Sequence, residues 1–163
     1  MKPRHRVVRL LLCFAPVVLS VPVLSPSCAH LGNGTASSAS PEGVRFTIRD
    51  HECMQLAETS SSKKDADLII DLEITNPSSI PVVVSPGAMQ VVDAEGGGMK
   101  RRGWRQKQPV EVAAGGNQSL TMHFVGAGAH CCSSRLALSP TGVTMGQRTL
   151  AVTPITFVPS CLF

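Results

Sequence analysis

The chain has 163 residues, enough for one domain, and its 43% hydrophobic and 16% charged residues describe a globular protein rather than a disordered or fibrous one. Its formal charge of +4 is concentrated at one end: Lys2, Arg4, Arg6 and Arg9 all precede the first acid, Glu42, and from Cys28 onward eleven basic side chains meet eleven acidic ones. The high isoelectric point is therefore no argument for nucleic acid, and no nucleic-acid partner is expected.

Residues 1–27 carry a basic start, an apolar run over residues 10–24, and the small exit Ser25, Pro26, Ser27. That is the layout of a secretory signal peptide. A membrane-spanning helix needs about 20 apolar residues, and Pro16 and Pro22 interrupt this shorter run, so cleavage is expected rather than a permanent anchor. The residues before Cys28 resemble the lipobox of bacterial lipoproteins, in which a cysteine at the new amino terminus receives lipid. The usual pattern has leucine three residues before the cysteine; here Leu24 stands four before it and Ser25 takes its place. Cys28 is thus the candidate lipidation site, which implies a partner in the membrane, reached through an N-terminal lipid, with free secretion as the alternative. Residues 28–43, rich in Gly, Ser and Ala, predict a flexible tether.

Residues 44–163 read as one all-β domain. Val44, Phe46 and Ile48 alternate with Arg45, Thr47 and Arg49 as a first strand, and Asp50, His51 and Glu52 break the parity before Cys53, which predicts a bulge or corner. Residues 58–64 are a polar loop. Leu68, Ile70, Leu72 and Ile74 then alternate with Asp71, Glu73 and Thr75, a period of two that means one buried and one wet face. Asn76-Pro77-Ser78-Ser79 supplies turn chemistry. Residues 80–85 and 88–93 predict short strands, 94–108 a long loop, and 109–113 another strand. After the turn at residues 114–117, Leu120, Met122 and Phe124 mark a second half-buried strand, and residues 135–138 and 147–158 close the domain around a turn at 139–142. Seven to nine short strands with turns every 8 to 12 residues or so describe an immunoglobulin-like antiparallel β-sandwich.

The apolar strand ending in Asn76-Pro77-Ser78-Ser79, then Pro81-Val82-Val83-Val84, Val91-Val92-Asp93-Ala94-Glu95-Gly96, and Gly115-Gly116 before the Leu120 strand resemble the telokin-like immunoglobulin domains of secreted bacterial lipoproteins. The resemblance covers residues 67–125 and implies an extracytoplasmic binding or accessory module with no enzyme site. The late cysteines and a basic loop depart from it.

Cys53, Cys131, Cys132 and Cys161 remain in the domain once residues 1–28 are set aside. Four cysteines in an exported domain predict two disulfides. A bridge between Cys131 and Cys132 closes a strained ring, because neighbours on a strand point to opposite faces. Cys53 and Cys161 are therefore each expected to take one of that pair. The alternative is a copper or zinc site built from His51, Cys53, His130, Cys131 and Cys132, the right ligand types without a recognised spacing.

The stretch 99–108 concentrates Lys100, Arg101, Arg102, Arg105 and Lys107 around Trp104, the sole tryptophan. Arginine forks anions and tryptophan offers a rigid apolar face, so this loop is the candidate surface for an anionic partner or envelope protein. The plainer reading is a solvated loop with Trp104 folded onto the sandwich. No G-x-S-x-G, H-E-x-x-H or phosphate-cradling glycine loop is present, and neither catalysis nor a cofactor is expected.

Overall fold

Leu68, Ile70, Leu72 and Ile74 are each no more than 1% exposed, while Ile69, Asp71 and Glu73 between them are half-buried, so the sequence period of two is the period of burial. In the computed structural model, which describes residues 35–55, 65–103, 108–127, 131 and 134–162, this stretch belongs to the third of thirteen strands. In chain order these are β1 (Ala36–Ala39), β2 (Arg45–Gln55), β3 (Asp65–Thr75), β4 (Val82–Val84), β5 (Gln90–Asp93), β6 (Gly98–Arg101), β7 (Val110–Val112), β8 (Asn117–Ala127), β9 (Leu136–Ser139), β10 (Val143–Met145), β11 (Arg148–Thr149), β12 (Ile155–Phe157) and β13 (Ser160–Leu162). A 3-10 turn at Pro86–Ala88 is the one helical element among the described residues.

The larger sheet runs β1-β2-β3-β8-β6-β5-β9-β12, with β13 also pairing β2, and the smaller runs β11-β10-β4-β7. One core joins them: Val82, Val84, Val112 and Val143 of the smaller sheet share it with Phe46, Leu72, Met122 and Leu138 of the larger. This is the predicted all-β sandwich, built of more strands than the seven to nine expected, with three long ones (β2, β3 and β8, 11 residues each) among short pieces. Each such buried side chain contributes about 1.5–3 kcal/mol relative to exposure, an upper figure because the unfolded chain is already partly collapsed.

The parity break in the first strand is a β-bulge. Ile48 faces Leu72 and Asp50 faces Asp71, so β2 advances two residues while β3 advances one, and Arg49 is left without a ladder partner. Its side chain turns outward to pair with Glu73. The bulge has a consequence for the core: Val44, Phe46 and Ile48 are buried at even positions, and beyond it Cys53 is buried at an odd one. Without the extra residue Cys53 would face solvent.

Three stretches depart from the sequence reading. Ala36–Ala39, inside the predicted 28–43 tether, form the edge strand β1 against Arg45–Ile48; small residues lacking an apolar pattern still offer a backbone to an open edge. The predicted loop over residues 94–108 contains β6, which pairs with both β5 and β8 and buries Met99. Residues 147–158 are not one strand. Leu150 donates its N–H back to the Val143 carbonyl and Gly146 sits at φ 58°, so the chain folds as a tight β10–β11 hairpin before β12.

Asn76 ties the two sheets together. Fully buried, it donates from Nδ2 to the carbonyls of Ile80 (2.9 Å), Ala113 (3.1 Å) and Val112 (3.2 Å). Its Oδ1 accepts from the Ser78 N–H at 3.1 Å and the Ser78 hydroxyl at 2.7 Å. The Asn76 N–H in turn donates to the Gly116 carbonyl at 2.9 Å, and Gly115, at φ 66°, donates to Ser78. One amide side chain thus joins the end of β3 to β7 and to the chain entering β4.

Candidate functional site

The basic stretch does not behave as a uniform loop. Lys100 and Arg101 lie on β6 opposite Val125 and Phe124 of β8. Lys100 is exposed. Arg101 turns inward: its guanidinium sits 5.5 Å over the Phe124 ring and its Nη1 donates to the Pro86 carbonyl at 2.6 Å. Burial pulls its pKa below the ordinary guanidinium value, because the charged form has lost water. Arg101 is therefore a packing residue that holds the Pro86–Ala88 turn against β8, not an outward cation. Arg102 is exposed; its backbone N–H donates to the His123 carbonyl at 2.9 Å and its Nη1 lies 3.3 Å from Asp67 Oδ2. Trp104, Arg105 and Lys107 lie outside the described residues; among the described residues of the stretch, Lys100 and Arg102 are the exposed cations.

Beyond the bulge, the solvent face of β2 and β3 carries the opposite sign. Asp50 and Asp71 are register partners across the two strands, and Glu52 follows on the same face. Like charges placed opposite one another oppose pairing. Local donors offset this: the His51 N–H reaches Asp50 Oδ1 at 2.8 Å and the Thr121 hydroxyl reaches Asp71 Oδ1 at 2.6 Å.

The cysteines meet at one end of β2. Cys53 is bonded to Cys131, with Cα atoms 6.0 Å apart and both residues fully buried. Cys161 stands beside Cys53 on β13 and is also disulfide-bonded. Cys132, like Cys28 and His130, lies outside the described residues. The Cys53–Cys131 bond is one of the two bridges the strain argument allows. It also consumes two of the five candidate metal ligands, since a disulfide sulfur is not the thiolate a metal binds. His51, a third candidate, stacks on Phe157 at 5.3 Å and accepts at Nδ1 from the Ser160 N–H at 3.3 Å. Among the described residues no group of three His, Cys, Asp or Glu side chains is placed to hold a metal ion.

One concavity carries no signal in the sequence. A cleft of about 530 Å³ lies between the β1–β2 turn at Ser40 and Pro41 and the segment 151–154 that leads into β12. Among the described residues it is lined by Ala39, Ser40, Pro41, Ala151, Val152, Thr153 and Pro154, none of them ionisable. Small and apolar residues scattered over two distant segments have no motif by which a sequence could reveal them.

Neither a family model nor a curated protein matches the sequence. Among solved structures, a candidate lipoprotein of Bacillus subtilis, ycdA, is similar over 74% of this chain and 38% of its own, at 12% identity and a TM-score of 0.55. The chain thus spans well under half the length of that protein, and the likeness is one of fold. The yjhA protein of Bacillus subtilis aligns with 66% of this chain and 78% of its own at 15% identity, TM-score 0.43. An Archaeoglobus fulgidus protein aligns with 71% and 99% at 16% identity, TM-score 0.39. No helix among the described residues is long and apolar enough to cross a membrane.

Proposed function

We propose that this chain is a non-enzymatic exported protein of the cell envelope, anchored through lipid on Cys28, whose β-sandwich binds or supports another surface component. The observation that carries the reading is the buried Cys53–Cys131 disulfide together with the bonded Cys161. Disulfides persist in oxidising compartments and are rare in the reducing cytosol. The signal layout of residues 1–27, the fold likeness to a candidate lipoprotein and the telokin-like resemblance over residues 67–125 support the same placement.

Within that reading, Lys100 and Arg102 form the described part of a surface for an anionic envelope partner, extended in sequence by Trp104, Arg105 and Lys107. Arg101, half-buried and packed on the Phe124 ring, is left out of this proposed surface.

Intact-mass spectrometry of protein extracted from the membrane fraction tests the proposal. A mature chain beginning at Cys28 and heavier by a lipid is the expected species. An unmodified, water-soluble chain, or one retaining residues 1–27 in the cytosolic fraction, would sink it.

A further inference from the structure

The outward side of β3 is polar at Asp67, Asp71 and Glu73 and apolar at Ile69. A single surface isoleucine needs no explanation, but this one has apolar company. Its register partners are Glu52 on β2 and His123 on β8. The next outward row along the strands holds Met54, Asp67 and Val125, with Lys100 of β6 beyond them. Ile69 and Val125 are therefore diagonal neighbours on adjacent strands, and Met54, 48% exposed, lies on the same face.

Charge is divided across this face. Asp50, Glu52 and Asp71 stand on its β2 side, and none of the three has an ion-pair partner among the described residues. Lys100 and Arg102 stand on its β6 side; Arg102 reaches Asp67 at 3.3 Å, while Lys100 projects into solvent. The strands follow one another as β2-β3-β8-β6, so the two margins are three strand spacings apart, roughly 14 Å, with Ile69 and Val125 between them. Acid at one margin, base at the other and apolar groups in the middle make a face that complements its own image after a half turn. An axis running along the strands between β3 and β8 lays β6 of one copy over β2 of another. It also brings Ile69 and Val125 of both copies together at the centre, an isologous contact.

We propose that the solvent face of β2, β3, β8 and β6 is a homodimer interface, in which Lys100 and Arg102 meet Glu52 of a second copy around a centre of Ile69 and Val125. This rests on the reading of Lys100 and Arg102 as a surface for an anionic partner, and it names that partner as the acidic margin of the same face. The three long strands have 11 residues each and together present roughly 500 Å² of face, below the 800 Å² or so per partner of a standard stable interface. The dimer is therefore reversible, with a dissociation constant on the order of micromolar or weaker.

Sedimentation equilibrium of the mature chain from Cys28 onward, produced without lipid, tests the pairing. Wild-type protein gives a monomer–dimer equilibrium that weakens as salt rises from about 0.05 to 0.5 M. Ile69→Lys sets two ammonium groups beside the axis and raises the dissociation constant by on the order of tenfold or more. Glu52→Lys and Lys100→Glu each weaken association, and the double variant, which restores opposite signs across the axis, recovers it. Circular dichroism checks that each variant is folded, and the charge swap decides the matter if Ile69→Lys is not. A chain that stays monomeric up to about 1 mM, a dimer indifferent to Ile69→Lys, or a double variant no tighter than the single ones overturns the proposal. Binding of wild-type monomer, but not of Lys100→Glu, to vesicles of anionic lipid would also overturn it, leaving the cationic surface in place with a different occupant.

Discussion

Replacing Asn76 with Ala removes the side chain that joins β3 to β7 and to the chain entering β4. The carbonyls of Ile80, Val112 and Ala113 lose a donor, and Ser78 loses the acceptor for both its N–H and its hydroxyl. A net hydrogen bond is worth about 0.5–1.5 kcal/mol, and a buried acceptor left without a partner costs about 1–3 kcal/mol. The Nδ2 group has two hydrogens for three carbonyls, so the three contacts are not three full bonds. Summing only the buried Val112 contact and the stronger of the others gives a loss of about 3–4 kcal/mol, or roughly 10 °C in melting temperature for a domain of this size. Thermal and urea denaturation followed by circular dichroism measure it. Asn76→Asp separates donation from shape, because it keeps the volume and the acceptor while replacing the donor with a second acceptor aimed at carbonyls. Its carboxyl would be held protonated by that environment, with a raised folded-state pKa, so the variant should gain stability as pH falls through that value. Were Asn76→Ala within 1 kcal/mol of wild type, the hub would be a reading of contacts without energetic weight.

Other substitutions test neighbouring parts of the account. Arg101→Ala should destabilise the domain by about 1–3 kcal/mol through the lost Phe124 contact and Pro86 bond, whereas Lys100→Ala, on the same strand but exposed, should stay within about 0.5 kcal/mol; equal effects in chemical denaturation would remove the distinction between packing and surface cation. Cys131→Ala opens a bridge spanning a sequence separation of 78, and in the chain-entropy view the loss is roughly 4 kcal/mol, read as a lower urea midpoint. Gly142 lies at φ 71° with an added Cβ placed 2.7 Å from the Ala88 Cβ, so Gly142→Ala should cost about 1–3 kcal/mol. Gly96→Ala, at φ 83° in open space, should cost less, and the difference in melting temperature between the two isolates the clash from the backbone strain.

Periodicity made the large sheet legible where apolar and polar residues alternate without interruption, as from Leu68 to Ile74 and from Leu120 to Phe124. The bulge also left a trace, since Asp50, His51 and Glu52 break a parity that Cys53 restores on the other phase. What escaped was structure whose stability comes from the partner strand. Gly98 to Arg101 has the composition of a loop, yet it is paired on both sides and buries Met99. Ala36 to Ala39 has the composition of a tether, yet it completes an edge. Backbone hydrogen bonding needs no particular side chain, so composition is silent there.

The candidate site was legible only in part for a related reason. Five cations in eight residues read as one surface, but Arg101 has an aromatic ring beneath it and a carbonyl within reach, and neither is adjacent in sequence. Asn76 read as turn chemistry because its neighbours are Pro and Ser. Its reach to Val112 and Ala113, more than thirty residues away, is a property of the folded chain.

The placement of the protein in an oxidising compartment is tested most directly by the state of its cysteines in the living cell. Acid quenching, thiol alkylation under denaturing conditions and non-reducing peptide mapping report that state. The account predicts that Cys53, Cys131, Cys132 and Cys161 take up no alkylating reagent, and that the Cys53 peptide travels with the Cys131 peptide. Three or four alkylated cysteines in protein taken from its native source would contradict export and return the histidine and cysteine set to metal binding.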